Sequence, residues 1–271
     1  MSLLKVELEK CIKCGACADV CPSRIIAVDK VGGPERIGKR TCIACGHCVA
    51  VCPTAALDNR RSKLAEHVEL DGWTIPDKDE MIKILRSRRS TRAYRKDKVT
   101  GEKITELLDL ARYAETGSNS QGLSFISISN VEVLQNVTEA VVSWMEEQIR
   151  KEAPNASYFE GAISSWRNDG YDSILRGAPG IIVAIAPEEH RSAQSNCEFV
   201  WTYAELFAPS LGLGTCIAGY TQLCAWSGCK QLLELFELPE GSKVAGVLMV
   251  GYPCYKYKRL PPRQPLNVYI R

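Results

Sequence analysis

CIKCGACADVCPSRIIAVD at residues 11–29 recurs as CIACGHCVAVCPTAALD at residues 42–58, and this repeat decides the first part of the fold. Cys11, Cys14, Cys17 and Cys21, the last followed by Pro22, return 31 positions later as Cys42, Cys45, Cys48 and Cys52, followed by Pro53. Each copy is too short to bury a core, so the two are expected to fold against each other as a pseudo-twofold pair. Three thiolates stepped two residues apart can each reach a different iron of a cubane, while Gly15 and Gly46 let the backbone approach its sulfides. The fourth iron takes the Cys before Pro of the other copy. The expected ligand sets are therefore crossed: Cys11, Cys14, Cys17 and Cys52 hold one [4Fe–4S] cluster, and Cys42, Cys45, Cys48 and Cys21 hold the second. Zinc is the competing reading, but tetrahedral zinc draws paired hooks from two places, not three close cysteines plus Cys-Pro twice over. His47, between two ligands, reads as a solvated side chain that at most tunes potential.

The rest of the composition narrows the class. In 271 residues, 45% are apolar and 24% charged, ordinary for a globular protein, and the length allows one large domain plus a small one. No apolar run approaches the roughly 20 residues of a membrane span. The opening MSLLKVELEK alternates apolar and charged residues, so a first strand is expected there and not a secretory leader. A net charge of +2 supplies no drive toward nucleic acid or anionic lipid. Beyond the eight repeat cysteines, Cys197, Cys216, Cys224, Cys229 and Cys254 are scattered and odd in number, which suits a reducing cytoplasm better than a disulfide scaffold. On these features residues 1–58 resemble two-cluster bacterial-type ferredoxins.

Residues 59–76 are polar, poorly periodic and end in Pro76, the expected linker. From 77 to 271 a second domain is expected. Asp77 followed by Glu80 suits a helix start, with Met81, Ile82, Ile84 and Leu85 as an apolar stripe. Thr100 is placed to cap a helix whose Ile104, Leu107, Leu108, Ala111 and Ala114 fall at three- and four-residue spacing. Strands are expected at 123–129, 181–186 and 243–250, and helices at 131–151 and about 191–211. The class is α+β: a small cluster domain followed by a mixed sheet covered by helices.

Three segments of the second domain suit a cofactor. Arg88-Arg89-Ser90-Thr91-Arg92 offers guanidinium forks that match phosphate oxygens, although a solvated basic helix end has the same composition. Thr116–Gly122 places Asn119 and Gln121 in a small-polar loop suited to reading a ring edge. Leu211–Gly219 carries glycines at 212, 214 and 219, which is not the G-x-G-x-x-G of a dinucleotide fold.

With Gly177-Ala178-Pro179 before a strand, these segments resemble the FMN-dependent nitroreductase family over about residues 78–266. The resemblance implies FMN at the interface of a homodimer. It implies Arg88, Ser90 and Arg92, with Arg89 beside them, on the phosphate, completed by Arg259 or Arg263. Asn119 and Gln121 would contact the isoalloxazine, the backbone N–H of Ala218 or Gly219 would face flavin N5, and Cys216 and Ile217 would lie nearby. Gly122-Leu123 stands where many relatives have Pro-Trp, and Ala218 where many have an acidic residue.

Clusters pass single electrons, whereas flavin accepts singly and donates a hydride, so the fusion couples a one-electron source to two-electron chemistry. The expected activity is reduction of a nitro compound, quinone or activated double bond, with electrons entering from a low-potential donor such as ferredoxin. Two alternatives stand beside it: an NAD(P)H-flavin reductase passing electrons outward through the clusters, and a redox sensor or electron-transfer module with no substrate of its own. Residues 144–176, rich in aromatics, read either as a cap over the site or as plain core packing, and no acid–base residue is assigned.

Overall fold

The computed structural model describes residues 2–271. It divides into two units, one taking in the chain up to Ile75 together with Gly117–Ser120, the other Pro76–Thr116 and Gln121–Arg271.

In the first unit the sequence repeat becomes a structural repeat. Strand β1 (Leu4–Val6) pairs antiparallel with β4 (Leu57–Asn59), and β2 (Ile26–Asp29) with β3 (Gly33–Arg36). Two short helices, α1 (Ala16–Asp19) and α2 (His47–Ala50), each follow a left-handed glycine, Gly15 at φ 85° and Gly46 at φ 74°. Left-handed backbone also falls at Lys13 and Arg24 in one copy and at Ala44 and Ala55 in the other, the same 31-residue offset. Such residues cost energy outside glycine, so their matched recurrence shows that both loops are held to one shape. The core is small: Leu4, Ile25, Ile26, Val49 and Leu57 are buried together with Cys17 and Cys48. Much of the expected linker is folded onto this unit. Leu64 N–H donates to Asp58 Oδ1 at 2.8 Å, and Ser62 Oγ lies 2.9 Å from His67 Nε2.

The second unit is built on a four-stranded sheet, β5 (Ser124–Ile128), β6 (Gly180–Pro187), β8 (Ser242–Gly251) and β7 (Gly214–Ile217), in that spatial order. Every neighbouring pair runs antiparallel, so the mixed directions expected from sequence are replaced within the chain by strict alternation. The connections from β5 to β6 and from β7 to β8 return the chain to the end of the sheet that the strand leaves, whereas the connection from β6 to β7 crosses to the other end, since both strands run antiparallel to β8 between them. Residues of β6 alternate between two cores: Ile181, Val183 and Ile185 face one, Ile182, Ala184 and Ala186 the other. Burial on both faces is why 181–186 reads as an unbroken apolar run.

One core is closed by α5 (Val131–Arg150), α8 (Gly219–Trp226) and α9 (Lys230–Leu235), the other by α4 (Gly101–Ala111) and α7 (Ala193–Phe207). Gly246 permits the second: a Cβ there would stand 2.7 Å from both Cys197 Sγ and Trp201 Nε1. Helix starts follow the sequence signals. Asp77 and Glu80 form a reciprocal capping box on α3 (Lys78–Ser87), Thr100 caps α4, and Asn130 Oδ1 accepts from Glu132 and Val133 N–H at the start of α5. Helix α6 (Glu160–Arg167) is tied to α5 by Arg167, which reaches Glu139 at 2.7 Å and Glu146 at 2.8 Å. Helix α3 buries no residue, and the stretch from Cys254 to Arg271 is exposed, Leu266 and Ile270 included. Among the described residues no helix is long and apolar enough to cross a membrane.

Candidate functional site

In the first unit the eight repeat cysteines line two recesses. One is lined by Cys11, Cys14, Cys17 and Cys52, the other by Cys42, Cys45, Cys48 and Cys21. These are the crossed sets that the spacing implies. Among the described residues no three His, Cys, Asp or Glu side chains converge as a single metal ion needs. The thiols instead surround a space, the arrangement that suits a cubane with one iron for each sulfur. Burial pushes the Cys17 and Cys48 thiols up, and iron coordination is what deprotonates such thiols. Gly46 has to be glycine twice over, because its φ is positive and a Cβ would fall 2.7 Å from Ser62 Oγ.

The second recess has donors that the repeat does not predict. Asn59 Nδ2 lies 3.6 Å from Cys48 Sγ and 3.8 Å from Cys42 Sγ, within hydrogen-bond reach of the large sulfur atom. Arg61 donates to the Cys42 carbonyl. Asn119, in the short segment 117–120, donates its Nδ2 to the carbonyls of Ile43 and Ala44, both at 3.1 Å. The amide expected at a flavin ring edge is thus engaged with the loop between Cys42 and Cys45. Ser118, Asn119 and Gln121 all have positive φ, and Gln121 N–H donates to Thr116 Oγ1 at 3.1 Å.

In the second unit a cavity of ≈ 430 Å³ is lined by Arg92, Arg176, Cys216, Ile217, Gly219 and Tyr220, with Tyr158 and Trp226 at its wall. The strap that carries Arg92 is held on β7: Thr91 N–H donates to Thr215 O at 2.8 Å, and the Thr91 side chain fills the space a Cβ on Gly214 would need. Gly212, at φ 71°, turns the chain at the end of the 3₁₀ turn Ala208–Leu211. The two glycines therefore serve a turn and a close approach. Cys216 is buried, which pushes its thiol up, with Arg92 and a hydrogen bond from Ser90 opposing. Tyr94 is buried with no partner for its hydroxyl, and burial raises its phenol far above the ordinary value. Ala218 N–H is taken by Val247 O at 2.9 Å, so of the two backbone donors expected there the one left is that of Gly219, in the first turn of α8, where nothing lies within 4 Å of a Cβ position.

Residues 85–252 match the model of the nitroreductase family. The chain belongs to the nitroreductase family. Residues 3–53 match the 4Fe–4S dicluster domain, so this nitroreductase-family chain has the cluster domain fused at its front. Among relatives, it is 23% identical over 206 residues to an FMN reductase [NAD(P)H] of Bacillus subtilis (strain 168), covering 70% of this chain and 73% of the relative. Solved structures share the fold. A nitroreductase with bound FMN from Bacteroides fragilis NCTC 9343 is 19% identical, with TM-score 0.54 over 71% of this chain and 99% of that one. Another with bound FMN, from Desulfitobacterium hafniense DCB-2, is 21% identical, with TM-score 0.56 over 70% and 97%.

The residues expected at a flavin in this nitroreductase-family chain fall into separate places. Arg92, Cys216, Ile217 and Gly219 share the cavity. Arg88 lies 3.4 Å from Glu205, and Arg89 donates to the carbonyls of Arg86 and Arg88. Arg259 and Arg263 lie on the exposed C-terminal stretch. Arg176 was not singled out from the sequence, although it directly precedes Gly177-Ala178-Pro179. It is displayed because Asp172 accepts from Ile174, Leu175 and Gly177 N–H and from Thr138 Oγ1, folding the loop back. The aromatic segment 144–176 reaches the same cavity: Trp144 stacks near Phe159, and Tyr158 and Phe159 both pack on Tyr220.

The cavity suits a flavin mononucleotide by its donors and acceptors. Two guanidiniums answer a phosphate, an unclaimed backbone N–H answers a ring nitrogen, and apolar walls answer the ring faces.

Proposed function

We propose that this chain is an FMN-dependent oxidoreductase that takes electrons through two [4Fe–4S] clusters and reduces a nitro compound, a quinone or an activated double bond. The observation that carries the reading is the pairing, in one chain, of two crossed four-cysteine recesses with a nitroreductase-family unit whose cavity presents Arg92, Arg176 and the Gly219 N–H. Bound flavin supplies the exchange between single electrons and a hydride. The chain's own residues supply the rest. Arg92, with Arg88, Arg89 and Ser90 on the same strap, would hold the phosphate, with Arg259 or Arg263 completing it. Gly219 would donate to the ring, Gln121 would read its edge, and Cys216 and Ile217 would pack nearby. Tyr220 keeps its proton, because burial and its hydrogen bond with Tyr158 push the phenol up, so its hydroxyl is a donor at the cavity wall.

A homodimer is part of this reading. It is supported by α3, which buries none of its apolar stripe in the chain, and by the exposed Leu266, Val268, Tyr269 and Ile270. A cytoplasmic location fits the thiol-rich composition. The alternative donor, NAD(P)H, is favoured by the name of the Bacillus subtilis relative. Anaerobic purification followed by iron, sulfide and flavin analysis tests the proposal. About eight irons, four to each cluster, and one FMN per chain are expected; a preparation with its irons but unable to bind FMN would overturn it.

A further inference from the structure

The two cluster recesses are not equivalent, and one difference is a buried amide that faces the ligand sulfurs of the second. Under the 31-residue offset of the repeat, Asn59 in the second copy corresponds to Val28 in the first. Each lines its own recess. Asn59 is 2% exposed, so its amide is out of water. Its orientation is set by backbone: Oδ1 accepts from Arg61 N–H at 3.0 Å, which leaves Nδ2 facing Cys48 Sγ and Cys42 Sγ. Val28 can donate nothing.

The other donors to sulfur lie mostly on the first recess, where Cys52 accepts from the backbone N–H groups of Thr54, Ala56 and Leu57 and Cys17 from that of Ala18, so Asn59 is the second recess's own contribution. Ala44 N–H reaches Cys42 Sγ at 3.4 Å on one side, and Ala56 N–H reaches Cys52 Sγ at 3.3 Å on the other. Thr54 Oγ1 stands 3.8 Å from Cys52 Sγ, a single hydroxyl against an amide with two protons aimed at two sulfurs. The nearby cations, Lys13 and Arg61, each bond a carbonyl at an exposed site, where water and salt screen them. A hydrogen bond to a ligating sulfur favours the more negative, reduced cluster, and hydrogen bonds to the sulfurs are among the terms that set cluster potential.

We propose that Asn59 raises the potential of the cluster of Cys42, Cys45, Cys48 and Cys21 above the value it would have with valine in that place. The inference rests on the reading that the chain holds two [4Fe–4S] clusters in crossed ligand sets. The full chain is purified anaerobically, its iron and sulfide are measured, and it is titrated with dithionite against mediators while the reduced clusters are followed by EPR. One one-electron step is expected for each cluster. Asn59→Val, which copies Val28, should lower one step by a shift equal to about a tenfold change in its reduced-to-oxidised ratio, about 59 mV for one electron, with the other step unmoved. If that variant loses iron, the comparison is made with Asn59→Ser, which cannot span both sulfurs, and with Val28→Asn, which should raise the other step. Variants with full iron and unmoved potentials overturn the role of Asn59. A wild-type chain with about four irons or fewer overturns instead the two-cluster reading.

Discussion

Substituting Gly214 by alanine should unseat the strap that carries the arginines. A Cβ there would overlap Thr91 Oγ1 and lie 2.9 Å from Thr91 Cβ and 3.0 Å from Thr91 Cγ2. Thr91 cannot yield sideways: it is 7% exposed and its N–H is bonded to Thr215 O. Overpacking of this kind costs about 1–3 kcal/mol. A unit of this size loses about 2–4 °C of melting temperature per kcal/mol, so a drop of roughly 4–8 °C is expected for a cost near the middle of that range. Because Ser90 and Arg92 flank Thr91, FMN affinity should fall as well, by about tenfold or more if 1.4 kcal/mol of the strain is relieved by moving the strap. Thermal unfolding followed by circular dichroism, and FMN titration followed by fluorescence quenching, read the two effects. Thr91→Gly removes all three overlapping atoms, so the double variant should be more stable than additivity of the singles allows. A Gly214→Ala protein with wild-type melting temperature and FMN affinity would refute the close approach and the function assigned to it.

Other substitutions separate the remaining parts of the account. Asp172→Ala leaves three backbone N–H groups and the Thr138 hydroxyl without their acceptor, and should cost roughly 2–3 kcal/mol together with FMN affinity, through the loop that displays Arg176. Asp77→Ala breaks the capping box of α3 and should cost about 1 kcal/mol of helix stability, seen as a loss of helical signal in circular dichroism. Arg167 hydrogen bonds hold Glu146 below its ordinary carboxylate range. This stabilisation is present above the unfolded-state value and is lost as pH falls through the lower folded one; in Arg167→Ala the acid limb of a melting-temperature profile should flatten, by about 1 kcal/mol at most for a pair this exposed. Cys52→Ser should abolish the cluster of Cys11, Cys14 and Cys17 and spare that of Cys42, Cys45 and Cys48, seen as half the iron and one EPR signal.

The legible features were those whose physics is local in the chain. The doubled cysteine run, read as the bacterial cluster motif, implied crossed ligands, and both recesses are lined that way. Asp77, Thr100 and the run 181–186 announced two helix starts and a central strand because caps and apolar runs act over a few residues. What was hidden depends on pairing between distant segments. Asn59 reaches the sulfurs because β4 pairs with β1 beside the loop of the second recess. Ala218 and Gly219 looked equivalent until Val247 claimed one of the two N–H groups. Gly212 and Gly214 looked like a cofactor turn, whereas one ends a 3₁₀ turn and the other admits Thr91. Arg176 could have been noticed as the residue before Gly177-Ala178-Pro179, but its display depends on Asp172.

The central claim, that the clusters feed the flavin, is tested most directly by anaerobic stopped-flow on the holoprotein. Mixed with a reduced low-potential one-electron carrier, the flavin absorbance should bleach at least as fast as turnover, and much more slowly in the Cys52→Ser protein. Bleaching by NAD(P)H faster than turnover, with none by the one-electron carrier, would contradict the account.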